Sequence, residues 1–335
     1  MDVDSTRREQ SQPQTPPDTP AGPAEAEISI AVRYPGGRAE KLLRPLSATD
    51  MAVDVEPADP YSYDIVIADN ADRDLGKEVL RNRLTDSKLV YRVRGDIFHE
   101  LDLWEMAWYK ELAARRVVLP NVDGVIAVTP RLAQKYGRQT GLEQCHAAGL
   151  AKDPANWPDK DHYRQTIEAV TLTNMNYWKK IAPIVEWASV VEEVLADVGG
   201  HWRVCGEGKH SDRLERALSG YDHVTHAGYV DADAQLAQSN LMLHPSLLDG
   251  QPNSILEGLA SRLPVITNDF HEFVDYGGPL EIASTGRELG QLLRAYTDPE
   301  LRAAKGSEGE SYIDTHHSER AVGEKYVRAC QEILA

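Results

Sequence analysis

Residues 241–269, LMLHPSLLDGQPNSILEGLASRLPVITND, constrain the fold more than any other stretch of the chain. Leu241, Met242 and Leu243 end a short apolar run of the kind that a buried parallel strand needs. Pro245 and Ser246 close it, Asp249-Gly250 is a turn dipeptide, and Pro252 cannot continue a strand. Asn253 or Ser254 then caps a helix whose apolar positions are Ile255, Leu256, Leu259 and Ala260. Pro264, Val265 and Ile266 open the next strand. In an α/β protein, a helix N-terminus at the carboxyl end of a buried strand attracts anions, because free backbone N–H groups and the helix dipole point the same way. Two carboxylates, Asp249 and Glu257, flank the turn with seven residues between them. Two plainer readings stand beside a binding role. Ser254-Ile-Leu-Glu257 is also a capping box, in which Glu257 only satisfies a backbone N–H, and Asp249-Gly250 is equally an ordinary turn.

The same alternation of apolar runs and helical stretches extends in both directions. Strands are expected at 28–33, 64–68, 88–93, 124–128, 168–172, 201–205 and 223–229. Helices are expected at 75–84, 101–116, 181–195, 232–238, 287–296 and 317–334. Trp104, Trp108 and Leu112 share one face of the second of these and read as core. Residues 149–163 have the Pro and charge of a linker. No Gly-x-Gly-x-x-Gly follows the first strand, which argues against a dinucleotide oxidoreductase.

Composition narrows the function further. A chain of 335 residues with 41% apolar content supports two domains with sizeable cores. A net charge of −17 disfavours nucleic acid as a partner. Only 12 of the 36 basic residues are Lys, and many acids with few Lys suit a high-salt habitat such as that of a haloarchaeon. The charge is uneven: residues 69–138 hold 13 Lys and Arg against 11 Asp and Glu. That near-neutral part is either an ordinary solvated face or a face for an anionic lipid surface or a phosphate-bearing acceptor. There is no apolar run of about 18 residues and no apolar leader, so a cytoplasmic protein is expected, peripheral to the membrane at most. Cys145, Cys205 and Cys330 are too scattered for a disulfide framework or a zinc site. The Asp-x-Asp pairs at 72/74, 159/161 and 231/233 are what chance supplies in so acidic a chain.

The segment around Glu257 resembles the retaining GT-B glycosyltransferases of group 1 (family 4). Their mark is Glu, seven residues, Glu, within a stretch of the form PS..EG.PN..LEA.A.G.PVI. The chain matches at Pro245, Ser246, Gly250, Pro252, Asn253, Leu256, Glu257, Ala260, Pro264, Val265 and Ile266. It departs at Asp249, where the family has Glu, and at Arg262, where the family has Gly. The resemblance implies an α/β GT-B fold, two Rossmann-like domains with a cleft between them. It gives Glu257 the nucleotide ribose and sets Asp249 beside the donor sugar, with Gly250, Gln251, Asn253 and Ser254 lining the donor site. Lys179 takes the place of the family's pyrophosphate Lys and Lys180 that of the Gly after it, while Asn174 stands where an Arg is usual. Gly206-Glu207-Gly208 matches a Gly-x-Gly near the nucleotide, and Gly36-Gly37 a loop that lets backbone approach the donor or acceptor. Arg94-Gly95 replaces a His-Gly that touches the sugar, which leaves Arg94 for a phosphate and Asp96 or His99 for a sugar or acceptor hydroxyl.

These correspondences imply four regions: a tail at 1–27, an acceptor-side domain at 28–160, a nucleotide-sugar domain at 161–316, and a last helix at 317–335 that packs back on the first domain. The implied activity is transfer of a sugar from a nucleotide-sugar to a glycan, lipid-linked or other hydroxyl acceptor, with retention of configuration. No metal and no cofactor beyond the donor are implied. The departures at Asp249, Asn174 and Arg94 keep an alternative open, a non-catalytic GT-B subunit that binds nucleotide-sugar or a partner enzyme.

Overall fold

The computed structural model of the chain describes residues 28–33, 40–69, 73–98, 101, 108–157, 164–248, 251–269 and 278–335. Among them, two six-stranded sheets form, both parallel throughout. The first contains β1 (Ser29–Arg33), β2 (Ala52–Val55), β3 (Ile65–Ala68), β4 (Lys88–Val93), β5 (Gly124–Ala127) and β6 (Cys145–Ala147), in the order β2-β1-β3-β4-β5-β6. The second contains β7 (Ile167–Leu172), β8 (Gly200–Cys205), β9 (Val224–Gly228), β10 (Leu241–His244), β11 (Val265–Asn268) and β12 (Leu280–Ala283), in the order β12-β11-β10-β7-β8-β9. Helices cover the sheet faces, so central strands are buried on both sides and read as apolar runs: IVIA in β3, GVIA in β5, and LML before His244 in β10. This is the GT-B architecture.

Each sheet reverses its winding once. In the first the reversal falls between β1 and β3, in the second between β7 and β10. Connections on either side of such a point leave in opposite directions, and a crevice opens outside the carboxyl ends of the two strands. The second crevice therefore opens beside the turn that follows β10, within residues 241–269.

One buried apolar cluster contains residues of both halves. Val125 and Tyr136 come from the first, Leu150 from the crossover between them, and Ile255 and Leu259 from the second. The chain returns at its end. Helix α10 (Pro299–His317) stops at Ser318, whose hydroxyl accepts from Ala321 N–H and starts α11 (Glu319–Leu334). That last helix lies against α1 (Glu40–Ser47) and β5, with Gly323 against the Pro45 carbonyl and Ile333 against Gly124.

Two sequence expectations need correction. Trp108 and Leu112 of the expected stripe are not core. Helix α3 (Trp108–Ala113; α2 is Arg73–Asn82) continues as a π-helix (Ala114–Val118), and neither buries a residue. The segment is fastened through Arg115, whose Nη2 donates to Phe98 O at 3.0 Å, and through Val118 packing on the core, so Trp108 and Leu112 stay exposed. Trp104 lies outside the described residues. Strands β2, β6 and β12 and the helices Ser211–Leu218 and α10 were not expected. The strands have three or four residues each, and α10 has no clean apolar face for a period to reveal.

Arg262 explains the family's glycine. Helix α8 (Asn253–Ala260; the intervening helices are α4, Pro130–Thr140, α5, Trp178–Val198, α6, Ser211–Leu218, and α7, Ala232–Gln238) ends in a Schellman motif. Leu263 N–H reaches Gly258 O at 2.9 Å and Arg262 N–H reaches Leu259 O at 3.0 Å. That places Arg262 at φ +57, the left-handed region that favours Gly. Its side chain pairs with Glu310, Nε to carboxylate at 2.8 Å.

Candidate functional site

The reversal point of the second sheet brings two helix N-termini together. Helix α5 follows β7 and α8 follows β10. Strands β7 and β10 are direct neighbours, with Leu241 opposite Ala169. Leu247 N–H donates to Lys179 O at 3.0 Å, which ties the loop after β10 to the first turn of α5. Asn268 clamps the same loop, accepting from Ser246 N–H at 2.8 Å and donating to Ser246 O at 3.0 Å. Lys179 is exposed at this edge and Lys180 is half-buried. Asn174, the residue at the usual Arg position, turns back on its own loop and accepts from Asn176 N–H at 3.4 Å.

Gly206 acts through backbone packing. Its N–H is spent on Gly228 O at 2.7 Å, and its φ is +133. A Cβ there would overlap the carbonyl oxygen of Thr173, and one at Gly208 would meet the backbone of Met175 and Asn176. The Gly-x-Gly loop therefore seats the turn that leads into α5. Gly206→Ala is expected to lower stability by about 2 kcal/mol, from strain and overpacking together. Urea denaturation checks this. An unchanged midpoint would mean that the α5 turn is not held there.

The N-terminus of α8 differs from its expected form. Pro252 occupies the cap position and no side chain caps the helix. Ser254 falls inside the first turn, where its Oγ meets His244 Nδ1 at 3.3 Å. The capping box is thus absent, and Glu257 is released from that role. Its Oε1 instead accepts from Lys152 Nζ at 2.5 Å. Asn253 Oδ1 is buried in the same turn without a hydrogen-bond partner. An uncapped helix end presents its first backbone donors to an anion.

Lys152 was not legible as a site residue. It lies in the crossover after β6, is 9% exposed, and its N–H donates to His317 O at 2.7 Å. Two further bonds fix this strap: Gln251 Oε1 accepts from Leu150 N–H at 2.9 Å, and His317 Nδ1–H donates to Leu150 O at 2.9 Å. Gln251 thus spends its carbonyl oxygen on the crossover.

Burial pushes the His317 imidazole down to about 4, against the opposing bond to Leu150 O. A depressed His favours the neutral fold. Its contribution is complete above about pH 6.5 and is lost as pH falls toward 4. Lowering pH from 7 to 5 should therefore remove about 2 kcal/mol of stability through this one group. The check is the same pH pair in His317→Gln, whose smaller loss isolates the imidazole. An equal loss in both proteins would refute the assignment.

In the first half, Arg94 follows β4 and places Nε 3.7 Å from Asp69 Oδ1. Asp96 pairs with Lys135 of α4. Asp69 follows β3 at the first reversal point and also pairs with Arg92. Gly36, Gly37, His99, Asp249 and Gly250 lie outside the described residues. No helix of the described chain is long and apolar enough to cross a membrane, and no three His, Cys, Asp or Glu among the described residues converge for a metal ion.

Comparison with known proteins gives this geometry its relatives. Residues 168–304 match the family model described as glycosyl transferases group 1. "Putative glycosyltransferase ORF31" of a virus (isolate Australia/Victoria) is 34% identical over 309 residues, spanning 92% of this chain and 98% of that one. Anabaena HepE, solved with UDP-glucose, superposes with a TM-score of 0.66 at 13% identity, covering 91% of this chain and 100% of its own. Staphylococcal (S. aureus) TarM, solved with fondaparinux, α-GlcNAc-glycerol and UDP, gives 0.62 at 18% identity over 79% of this chain, which spans about half (55%) of TarM. With the parallel sheets, the paired helix N-termini and a relative matched along nearly its whole length, the chain belongs to the group 1 glycosyl transferases.

Proposed function

We propose that this glycosyltransferase takes its sugar from a nucleoside diphosphate donor bound at the reversal point of the second sheet and passes it, with retention, to a hydroxyl of a glycan or lipid-linked acceptor. The observation that carries the reading is the meeting of two helix N-termini at that point, with Lys179 on one and Glu257 on the other. The diphosphate lies on the backbone donors of 253–255, with Lys179 and Lys180 adding positive charge as the leaving group develops its own. Glu257, oriented by Lys152, receives the ribose hydroxyls. By the resemblance, the donor sugar is assigned to Asp249, a phosphate to Arg94, and a sugar or acceptor hydroxyl to His99. The HepE complex with UDP-glucose supports a uridine donor.

In the step itself the bond from the anomeric carbon to the diphosphate oxygen breaks, and the acceptor oxygen bonds to the same carbon on the same face. The acceptor proton passes to the departing diphosphate. Fixed cations and helix dipoles perform the charge stabilisation that a metal performs elsewhere, so turnover should survive EDTA. The reaction takes place in the cytoplasm, where nucleotide-sugars are made.

The test is a panel of UDP-, GDP-, ADP- and dTDP-sugars, with and without EDTA and with crude glycan and lipid acceptors. Release of nucleoside diphosphate that is lost in Lys179→Ala supports the reading and names the donor. Binding without release would favour a non-catalytic subunit, and no binding by folded protein would sink the donor site.

A further inference from the structure

The helices over the first sheet carry a surface that sugar transfer leaves unused. Helix α3 and the π-helix after it run for six and five residues without burying one. Trp108 is 75% exposed and Tyr109 56%, and Leu112 and Val117 are each half exposed. The two rings meet edge to face at 6.1 Å, so they pack on one another in solvent. Helix α2 packs alongside, Gly76 against Val118, and adds Leu80 and, in the turn beyond it, Leu84, both exposed. A surface helix ordinarily turns its large apolar side chains inward. A cluster of this kind left outside marks a surface for a partner.

The charge of the same face identifies the partner's chemistry. The chain as a whole carries −17. Yet Lys77, Arg83, Lys110 and Arg116 are exposed here, beside Arg81, which pairs with Glu78, and against the exposed acid Asp86. The acids with described side chains on these helices are already paired: buried Glu78 with Arg81 and Arg33, and Glu111 with Arg115. Trp and Tyr beside Leu and surrounded by Arg and Lys is the composition that rests at a headgroup boundary. The rings sit at headgroup depth and the cations meet anionic phosphate. A symmetric pairing of two copies through this face would set like charges against each other. We propose that the α2–α3–π-helix face docks the enzyme on an anionic phospholipid surface, with Trp108 and Tyr109 inserted. This rests on the exposed face alone and stands whatever the donor proves to be.

The experiment uses the full chain with vesicles of mixed phosphatidylcholine and phosphatidylglycerol, read by flotation. Wild type should float with mixed vesicles and far less with phosphatidylcholine alone. Trp108→Ser with Tyr109→Ser should weaken flotation about tenfold. Lys110→Glu and Arg116→Glu should each weaken it at least about fivefold, since each basic residue near the surface contributes about that factor. The chain has six Trp, so insertion is isolated by difference: Trp108→Phe should still float but lose quenching by brominated lipid. Circular dichroism confirms that every variant is folded. Failure of folded wild type to float would overturn the proposal. So would unchanged flotation of the Trp108→Ser, Tyr109→Ser protein, or a dimer in sedimentation that those substitutions dissolve and vesicles do not.

Discussion

Replacing Glu257 by alanine is expected to lower kcat/KM for the donor about 100-fold, which corresponds to about 2.7 kcal/mol of transition-state binding. The magnitude follows from the bonds at stake. A hydrogen bond to a charged group contributes roughly 1.5–3 kcal/mol, and a ribose offers its hydroxyls to one carboxylate. The carboxylate is oriented before the donor arrives, because Lys152 Nζ holds Oε1 at 2.5 Å from a crossover that is itself bonded to Gln251 and His317. Lys152→Met should therefore lose less, about tenfold, by loosening Glu257 without removing it. A merely structural Glu257 would also slow the enzyme, so the decisive readout is a cycle with a donor lacking the ribose 2′-hydroxyl. Wild type should lose activity on that donor, and Glu257→Ala should lose little more. Equal losses from the substitution on both donors would remove Glu257 from the ribose.

That prediction rests on a part of the site the sequence displays well. Asn253, Ser254 and Glu257 are contiguous with a strand and a helix whose periods are clear, so their side of the crevice can be placed from spacing. The fold is legible for the same reason: parallel strands buried on both faces, such as β3 and β10, appear as apolar runs. Legibility ends where a role depends on residues distant in the chain. Lys152 lies 105 positions from Glu257, within a stretch that reads as linker. Arg262 reads as a lost glycine, but its backbone still adopts the glycine conformation, and its side chain pairs with Glu310 on another helix. Trp108 and Leu112 read as core because their spacing is helical. Spacing reports which side chains share a face, not which way the face is turned, and here Arg115 and Val118 decide the direction. Ser254 and Glu257 have capping-box spacing, yet the helix begins two residues too early for it, at Asn253 after Pro252.

The least legible arrangement carries the second large effect. Asp69→Ala is expected to cost about 3–5 kcal/mol of stability, the usual penalty for leaving one member of a buried ion pair alone. Asp69 is 1% exposed and Arg92 3%, so solvent does not screen the loss. Arg92 Nη1 donates to Asp69 Oδ1 at 2.8 Å and its Nε to the Tyr326 hydroxyl at 2.8 Å. Sequence separates the three by 23 and 234 positions, and no local pattern unites them. The triad joins the carboxyl end of β3, the middle of the first sheet and the last helix, so its loss should loosen α11 along with the sheet. Tyr326→Phe removes one neutral acceptor and should cost only about 1–2 kcal/mol. The charge itself is not required for packing. Asp69→Leu with Arg92→Met buries neutral side chains instead and should recover most of the loss. Urea denaturation followed by far-ultraviolet circular dichroism reads all three proteins. A cost below about 1 kcal/mol for Asp69→Ala would show that the Arg92 guanidinium finds water or another acceptor. A double variant no more stable than Asp69→Ala would show that the ion pair, and not the volume it fills, holds the last helix to the first sheet.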